Sequence, residues 1–303
     1  MSIVNTFSLQ SNRQIKINFD GGDLSSDAGL LLIKEFVAKI GFTKLIKKKF
    51  KTNDKSIRFH KDHENLLQMI YQIISAYFQD DCADELTLDP VFNVILDKES
   101  LASQPTLSRF FNRMDEDTLI QFDDIDKNLR DTIYSIKRPE HVLLDLDSTL
   151  FGTYGRQEGE GFNFHYQAHG YHPLLCYDGL TGDLIKAELR DGTLHCSNGA
   201  DKFMESIFQE YLERGIKTYL RGDSGFSSPK LYETCESNGC SYAIRLKQNP
   251  ALIAWLQIKR KICTKPLKRI RSSSFIVAGA RWKTSLRKAK VDLTLLLSAV
   301  IPK

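Results

Sequence analysis

The stretch His141-Val142-Leu143-Leu144-Asp145-Leu146-Asp147-Ser148-Thr149 decides the fold. It is a short apolar run after Pro139, of the length and composition of a β-strand. Period-two alternation puts Leu143, Asp145 and Asp147 on one face and Val142, Leu144 and Leu146 on the other. Carboxylates within an apolar strand are costly to desolvate unless a cation or hydrogen-bond donors compensate them, so a metal is the economical explanation. A second strand acid closes Tyr219-Leu220-Arg221-Gly222-Asp223-Ser224-Gly225-Phe226, where the glycines let the backbone come close to a ligand. If the two strands are neighbours in one sheet, Asp147 and Asp223 converge at its edge. They would form a hard oxygen site suited to Mg²⁺, with Mn²⁺ as a substitute and Asp145 as a further candidate ligand. Two such metals would activate a nucleophile and stabilise a leaving 3′ oxygen, which is phosphoryl transfer.

Working outward, the pattern after residue 139 predicts a mixed α/β domain. A glycine-rich connection (Gly152 to Gly161) leads to aromatic-rich strands around Phe162 to Tyr166 and Tyr171 to Tyr177. A turn at Thr181-Gly182-Asp183 and a strand Ile185 to Leu189 follow, giving an antiparallel meander. Then come a helix near Ala200 to Arg214, a strand Ile216 to Arg221, a helix Ser228 to Glu236 behind a Ser227 cap, and a strand Ser241 to Leu246. The order is βββαβαβ.

Upstream, residues 20 to 135 read mainly helical. Ser25 and Ser26 offer caps for a helix with Leu32, Ile33, Phe36, Val37 and Ile40 at helical spacing, ended by Gly41. Lys44 through Lys49 make a basic surface, and Glu64 to Phe78, apolar on nearly every face, predicts a central core helix. Gln104-Pro105-Thr106-Leu107-Ser108-Arg109-Phe110-Phe111-Asn112-Arg113 predicts a helix with Pro105 in its first turn. Its Arg109 and Arg113 are available to a DNA groove, although a plain amphipathic helix has the same pattern. The expected domains are 1–138, mainly helical and DNA-binding; 139–252, catalytic; and 253–303, a basic tail.

Composition narrows the class. With 303 residues, 42% of them hydrophobic, the chain can bury two ordinary cores. The polar opening MSIVNTFSLQ does not read as a secretory signal, and no apolar run approaches the roughly 20 residues that cross a bilayer, so a cytoplasmic protein is expected. Six scattered cysteines without a CxxC pair fit a reducing compartment and read as small buried side chains. The net charge of +4 conceals an asymmetry. From Lys259 onward there are 13 Lys+Arg and one acid, Asp292, leaving 29 basic and 37 acidic residues before it. Such a tail suits a phosphate-binding arm, and equally a shifted reading frame.

Two chemistries compete at the strand acids. Asp145-Leu146-Asp147-Ser148-Thr149 also fits the DxDxT box of haloacid-dehalogenase-like phosphatases, with Asp145 as nucleophile and Asp147 as general acid/base. Those enzymes place the box near the start of a mostly parallel sheet, whereas here a helical domain precedes it and a meander follows. Arg190, Arg221, Arg245 and Lys247 lie near expected strand ends beside the acids, where they could hold DNA phosphates; surface ion pairs explain them equally well. His165, His169 and His172 lack metal-ligand spacing and read as satisfied or exposed histidines.

An ordered set of motifs resembles the IS1380 family of insertion-sequence transposases. It comprises Asp147-Ser148-Thr149, Tyr154-Gly155-Arg156-Gln157-Glu158-Gly159, Gly170-Tyr171-His172-Pro173-Leu174, Leu189-Arg190-Asp191-Gly192 and Arg221-Gly222-Asp223-Ser224-Gly225-Phe226. Gly22-Asp23-Leu24-Ser25-Ser26-Asp27-Ala28-Gly29 and Gln104-Pro105-Thr106-Leu107-Ser108-Arg109 look like that family too, so the likeness runs to about Leu252. The resemblance implies a helical N-terminal domain followed by an RNase H-like DDE catalytic domain, incomplete at its C-terminus, with Asp147 as the first acid and Asp223 as the second. It also implies strand cleavage and transfer on double-stranded DNA, at terminal inverted repeats and a target, by a homo-oligomer. The family's third acid is a glutamate much further along. Glu233 and Glu236 come too early for it, so the expectation is a shortened transposase, or a DNA-binding remnant without catalysis.

Overall fold

The computed structural model describes residues 6–19, 25–79 and 81–245, which fall into two compact units dividing between Arg138 and Pro139. The expected basic tail, Lys247, Asp292 and the Gly22-Asp23-Leu24 stretch lie outside the described residues.

The first unit opens with an antiparallel ribbon of β1 (Thr6–Ser8) and β2 (Lys16–Asn18), and continues as helices. These are α1 (Leu30–Lys39), α2 (Phe42–Lys49), α3 (Asp62–Ile74), α4 (Cys82–Leu86), α5 (Pro90–Leu96), α6 (Gln104–Phe111) and α7 (Glu116–Ile136). Local chemistry sets their starts: the Asp89 carboxylate accepts from the backbone N–H of Val91 and Phe92 ahead of Pro90, and Asp115 does the same for Thr118. As expected, α3 is central, burying Leu66, Leu67, Met69 and Tyr71. Its buried Gln68 is satisfied by giving to the Ala102 carbonyl and accepting from the Ala102 N–H, both at 2.8 Å.

The α1 expectation is corrected in phase. Leu30, Leu31, Lys34 and Val37 face inward, whereas Leu32 and Phe36 are exposed. Lys34 enters the core because it ends on the Val94 carbonyl and the Asp97 carboxylate, at 2.7 and 2.6 Å. Ser25 and Ser26 do not cap the helix; its N-cap is Gly29.

The second unit is built on one five-stranded sheet. Its strands are β3 (His141–Ser148), β7 (Leu174–Asp178), β8 (Leu184–Glu188), β9 (Lys217–Gly222) and β10 (Ser241–Ile244), in the order β10-β9-β3-β7-β8. β3, β7 and β8 form the antiparallel meander, while β9 runs parallel to β3, and β10 parallel to β9. The parallel returns go through α8 (Ala200–Glu213) and α9 (Pro229–Ser237). α8 buries Ala200, Phe203, Met204, Ile207, Phe208 and Tyr211 at helical spacing, and Ser228 rather than Ser227 caps α9. A central strand flanked by one antiparallel and one parallel neighbour, with this element order, is the RNase H-like arrangement. The aromatic hairpin departs from the expected meander: β4 (Phe151–Gly152), β5 (Gly161–Asn163) and β6 (Ala168–Tyr171) form their own three-stranded sheet in the order β4-β6-β5.

Candidate active site

The β3–β9 register brings the strand acids together. Asp145 stands opposite Arg221 and Leu146 opposite Gly222, so Asp147 and Asp223 follow at the same end of adjacent parallel strands. Val142, Leu144 and Leu146 are fully buried on one face, which turns Asp145 and Asp147 to the other. Past the strand, the Asp223 carboxylate accepts from the Gly225 N–H at 2.8 Å, which fixes the short turn Ser224–Phe226 and leaves Asp223 exposed.

Asp147 is the perturbed group. Burial pushes its carboxyl up to about 7 despite a backbone hydrogen bond from Ser148, and the negative charges of Asp223 and Asp145 add to the effect. No lysine or arginine among the described residues offsets its charge. Two acids at one end of adjacent strands, the buried one without an offsetting lysine or arginine, fit a hard divalent cation in donor chemistry and in sign. Among the described residues no group of three His, Cys, Asp or Glu could hold a metal, so Asp147 and Asp223 are at most part of a ligand set.

Asp145 has another task. It is 1% exposed and takes two charge-assisted bonds from Arg221, one from Nε at 2.7 Å and one from Nη2. Burial still raises its carboxyl, Arg221 opposes that, and Asp178 adds to it. A Cβ on Gly179 would lie 2.6 Å from the Asp145 carboxylate, so a bare backbone covers the pair. This corrects two expectations. Asp145 is occupied by a guanidinium rather than open to a metal, and as a sealed, paired carboxylate it is no phosphatase nucleophile. The antiparallel β3–β7 pairing also departs from a mostly parallel phosphatase sheet.

The expected phosphate-holding arginines divide. Arg221 is committed to Asp145. Arg190 is buried, giving Nε to the His172 carbonyl at 3.1 Å and a second bond to the Asn198 carbonyl; it braces two loops and is not open to DNA. Arg245 is exposed at the end of β10. In the first unit Arg109 is exposed, whereas Arg113 is half-buried and pairs with Asp62 at 2.9 Å. The histidines are occupied or exposed: His172 meets the Leu194 carbonyl at 2.8 Å, His169 meets Glu160 at 2.9 Å, and His165 is exposed. Glu236 on α9 accepts from the Tyr242 hydroxyl at 2.9 Å.

Glycines explain how the motif loops close over this region. A Cβ on Gly170 would strike the Phe151 carbonyl, and one on Gly192 the carbonyls of Gly170 and Gly161, so three chain segments meet where only backbone fits. Buried Asn163 fastens them, giving Nδ2 to the Gly192 carbonyl at 2.7 Å and accepting from the N–H groups of His165 and Tyr166. The loops thereby carry residues that the sequence did not mark. Cys196 and Asp223 flank Gly225 together, since a Cβ there would strike the Cys196 sulfur and lie 3.0 Å from Asp223 Oδ1. His195 stands 3.7 Å from that sulfur. Burial raises the Tyr166 hydroxyl, and the charges of Asp147 and Asp223 contribute. No spacing or motif links Tyr166, His195 and Cys196 in sequence; only the folded loops do.

Residues 7–287 match the family described as Transposase DDE domain group 1. No curated protein matches the chain. Among solved structures, the chain is similar to the catalytic core domain of BIV integrase at 12% identity and TM-score 0.25, covering 40% of this chain and 65% of that one. A piggyBac transposase in a synaptic complex with hairpin DNA gives 15% identity and TM-score 0.36, covering 81% and 53%. The catalytic domain of Mos1 mariner transposase gives 10% identity and TM-score 0.27, covering 63% and 97%. The chain thus spans less than two thirds of the first two of these proteins.

Proposed function

Since the chain belongs to the Transposase DDE domain group 1 family, we propose that it acts in metal-dependent phosphoryl transfer on DNA, cutting and joining strands at the ends of an insertion sequence. The observation that carries this reading is the β3–β9 register, which sets Asp147 and Asp223 at the same end of adjacent strands, together with the upward shift of Asp147 by burial and, beyond that, by the like charge of Asp223. Asp147 and Asp223 would hold Mg²⁺, or Mn²⁺ in its place. The ion would supply Lewis-acid stabilisation of charge at the reacting phosphate.

The chain's own residues prepare that chemistry. The buried β3 face fixes where Asp147 points, and the Asp145–Arg221 pair locks β3 to β9 so that the two acids keep their spacing. Burial holds the Asp147 carboxyl up to about 7, so Asp147 would bind a cation in competition with a proton. The ordered motifs from Asp147 to Phe226 support assignment within the family to the IS1380 group. Its substrates would be double-stranded terminal inverted repeats and target DNA, handled by a homo-oligomer in the cytoplasm. Arg109 and Arg245, both exposed, are the phosphate contacts we retain. No helix among the described residues is long and apolar enough to cross a membrane.

The test is Mg²⁺- or Mn²⁺-dependent nicking of DNA carrying the element's ends, by the wild type and by Asp147→Ala and Asp223→Ala variants. Nicking by the wild type alone supports the reading. Nicking that persists in both variants contradicts it, and binding without nicking by any form indicates a DNA-binding chain without catalysis.

A further inference from the structure

The connection between α2 and α3, residues 51–61, has no regular secondary structure yet is fastened at every few residues. Thr52 is buried and gives both its N–H and its hydroxyl to Asp62, at 3.1 and 2.6 Å. Asp62 also takes Arg113, just past the end of α6, at 2.9 Å, with Arg58 at 3.5 Å. Arg58 turns back onto Asp54 and onto the Ser56 hydroxyl at 2.8 Å, and the Lys61 N–H ends on Glu64 at 3.0 Å. His60 meets Lys98 at 2.9 Å, and Lys98 in turn pairs with Glu64 at 2.7 Å.

This scaffold holds two large apolar side chains out in water. Ile57 is 103% exposed and Phe59 is 76% exposed, against the preference of such residues for burial. Lys51, Lys55 and Lys61 of the same loop are exposed, and the Lys98 ammonium lies 5.8 Å from the Phe59 ring centroid. Residues 51–61 hold Lys51, Lys55, Arg58 and Lys61 against one acid, Asp54, which Arg58 already neutralises. Through Asp62 the loop is tied to Arg113, in the turn that follows α6, and Arg109 in the last turn of α6 is exposed. Apolar tips in a basic rim are the arrangement that inserts between base steps while cations track phosphates; an apolar protein partner would not call for the basic rim.

We propose that residues 51–61 form a wedge that docks on duplex DNA, with Ile57 and Phe59 prying a base step apart and Lys55, Lys61 and Arg109 holding the flanking phosphates. The proposal rests on the transposase reading only for the identity of the partner.

The experiment measures binding of the full chain to a mixed-sequence duplex carrying 2-aminopurine, whose fluorescence rises on unstacking, across a salt series. The forms compared are wild type, Ile57→Ala/Phe59→Ala, Lys55→Ala/Lys61→Ala, and Phe59→Trp. Wild type is expected to bind and to raise fluorescence. The apolar variant should bind about 10-fold more weakly with an unchanged salt slope and no fluorescence rise, and Phe59→Trp should retain both, since base stacking on an aromatic ring is tolerant of ring type. The lysine variant should lose about two units of salt slope. Equal affinity and fluorescence in wild type and the apolar variant would overturn the wedge while leaving the transposase reading intact. A change in self-association instead of DNA binding would overturn it in favour of a protein contact. A wild type that binds no duplex would overturn both.

Discussion

Replacing Arg221 with methionine would leave Asp145 buried without its partner. Asp145 is 1% exposed and receives two bonds from the guanidinium, while the Arg221 side chain is 27% exposed. Removing one member of a buried pair costs about 3–5 kcal/mol, and the partial exposure of Arg221 points to the lower end, about 3 kcal/mol at neutral pH. For a unit of this size that lowers the melting temperature by on the order of 10 °C. Burial holds the Asp145 carboxyl above its ordinary range even with Arg221 in place, and losing the guanidinium raises it further. A group with a raised folded value binds more protons when folded, so its charge destabilises the fold as pH rises from about 4 through that raised value. The gap between wild type and variant should therefore be small in acid and largest at neutral pH. Adding Asp145→Leu should recover most of the loss, because two apolar residues replace the pair without an orphaned charge. Thermal and urea unfolding across pH measures this. A variant as stable as wild type at pH 7, or a loss independent of pH, would refute the claim that the pair locks the two strands.

Other consequences are open to similar measurement. Because Asp147 is raised to about 7, the metal-free protein should lose about 2 kcal/mol, discounted for solvent screening, as pH rises from about 4 through about 7, the loss levelling off above that. Asp147→Asn should flatten that profile, and added Mg²⁺ at pH 8 should stabilise wild type but not the variant; identical melts would contradict this. Gly192→Ala forces a methyl against two backbone carbonyls and should cost about 3 kcal/mol, the upper end for overpacking. Gly29→Ala meets nothing within 4 Å and should stay within about 0.5 kcal/mol of wild type. Equal denaturation midpoints for the two glycine variants would count against the packed-loop description.

The legible parts of the sequence were those written by periodicity. Alternation along β3 announced both its buried face and its acids, and the glycine-flanked Asp223 marked the end of a second strand. The rest depended on tertiary partners. Periodicity gives a helix but not its rotation, and α1 turned because Lys34 found Asp97, 63 residues away, letting Leu32 and Phe36 face out. A strand aspartate looks the same in sequence whether a metal or an arginine offsets it; the family resemblance marked Asp147, and the register opposite Arg221 shows what offsets Asp145. Arg190 resembled a surface phosphate contact until the His172 and Asn198 carbonyls enclosed it. Cys196 comes beside Asp223 at Gly225, and the segments of Gly161, Gly170 and Gly192 meet backbone to backbone, both long-range conditions that no local pattern encodes.

The most direct measurement of the central claim is Mn²⁺ binding followed by electron paramagnetic resonance, comparing wild type with Asp147→Asn and Asp223→Asn. The account predicts weak binding, with a dissociation constant on the order of 1 mM as for sites with few charged ligands, lost in both variants. Mn²⁺ binding that survives both substitutions undiminished would contradict the assignment of Asp147 and Asp223 as the metal-bearing pair.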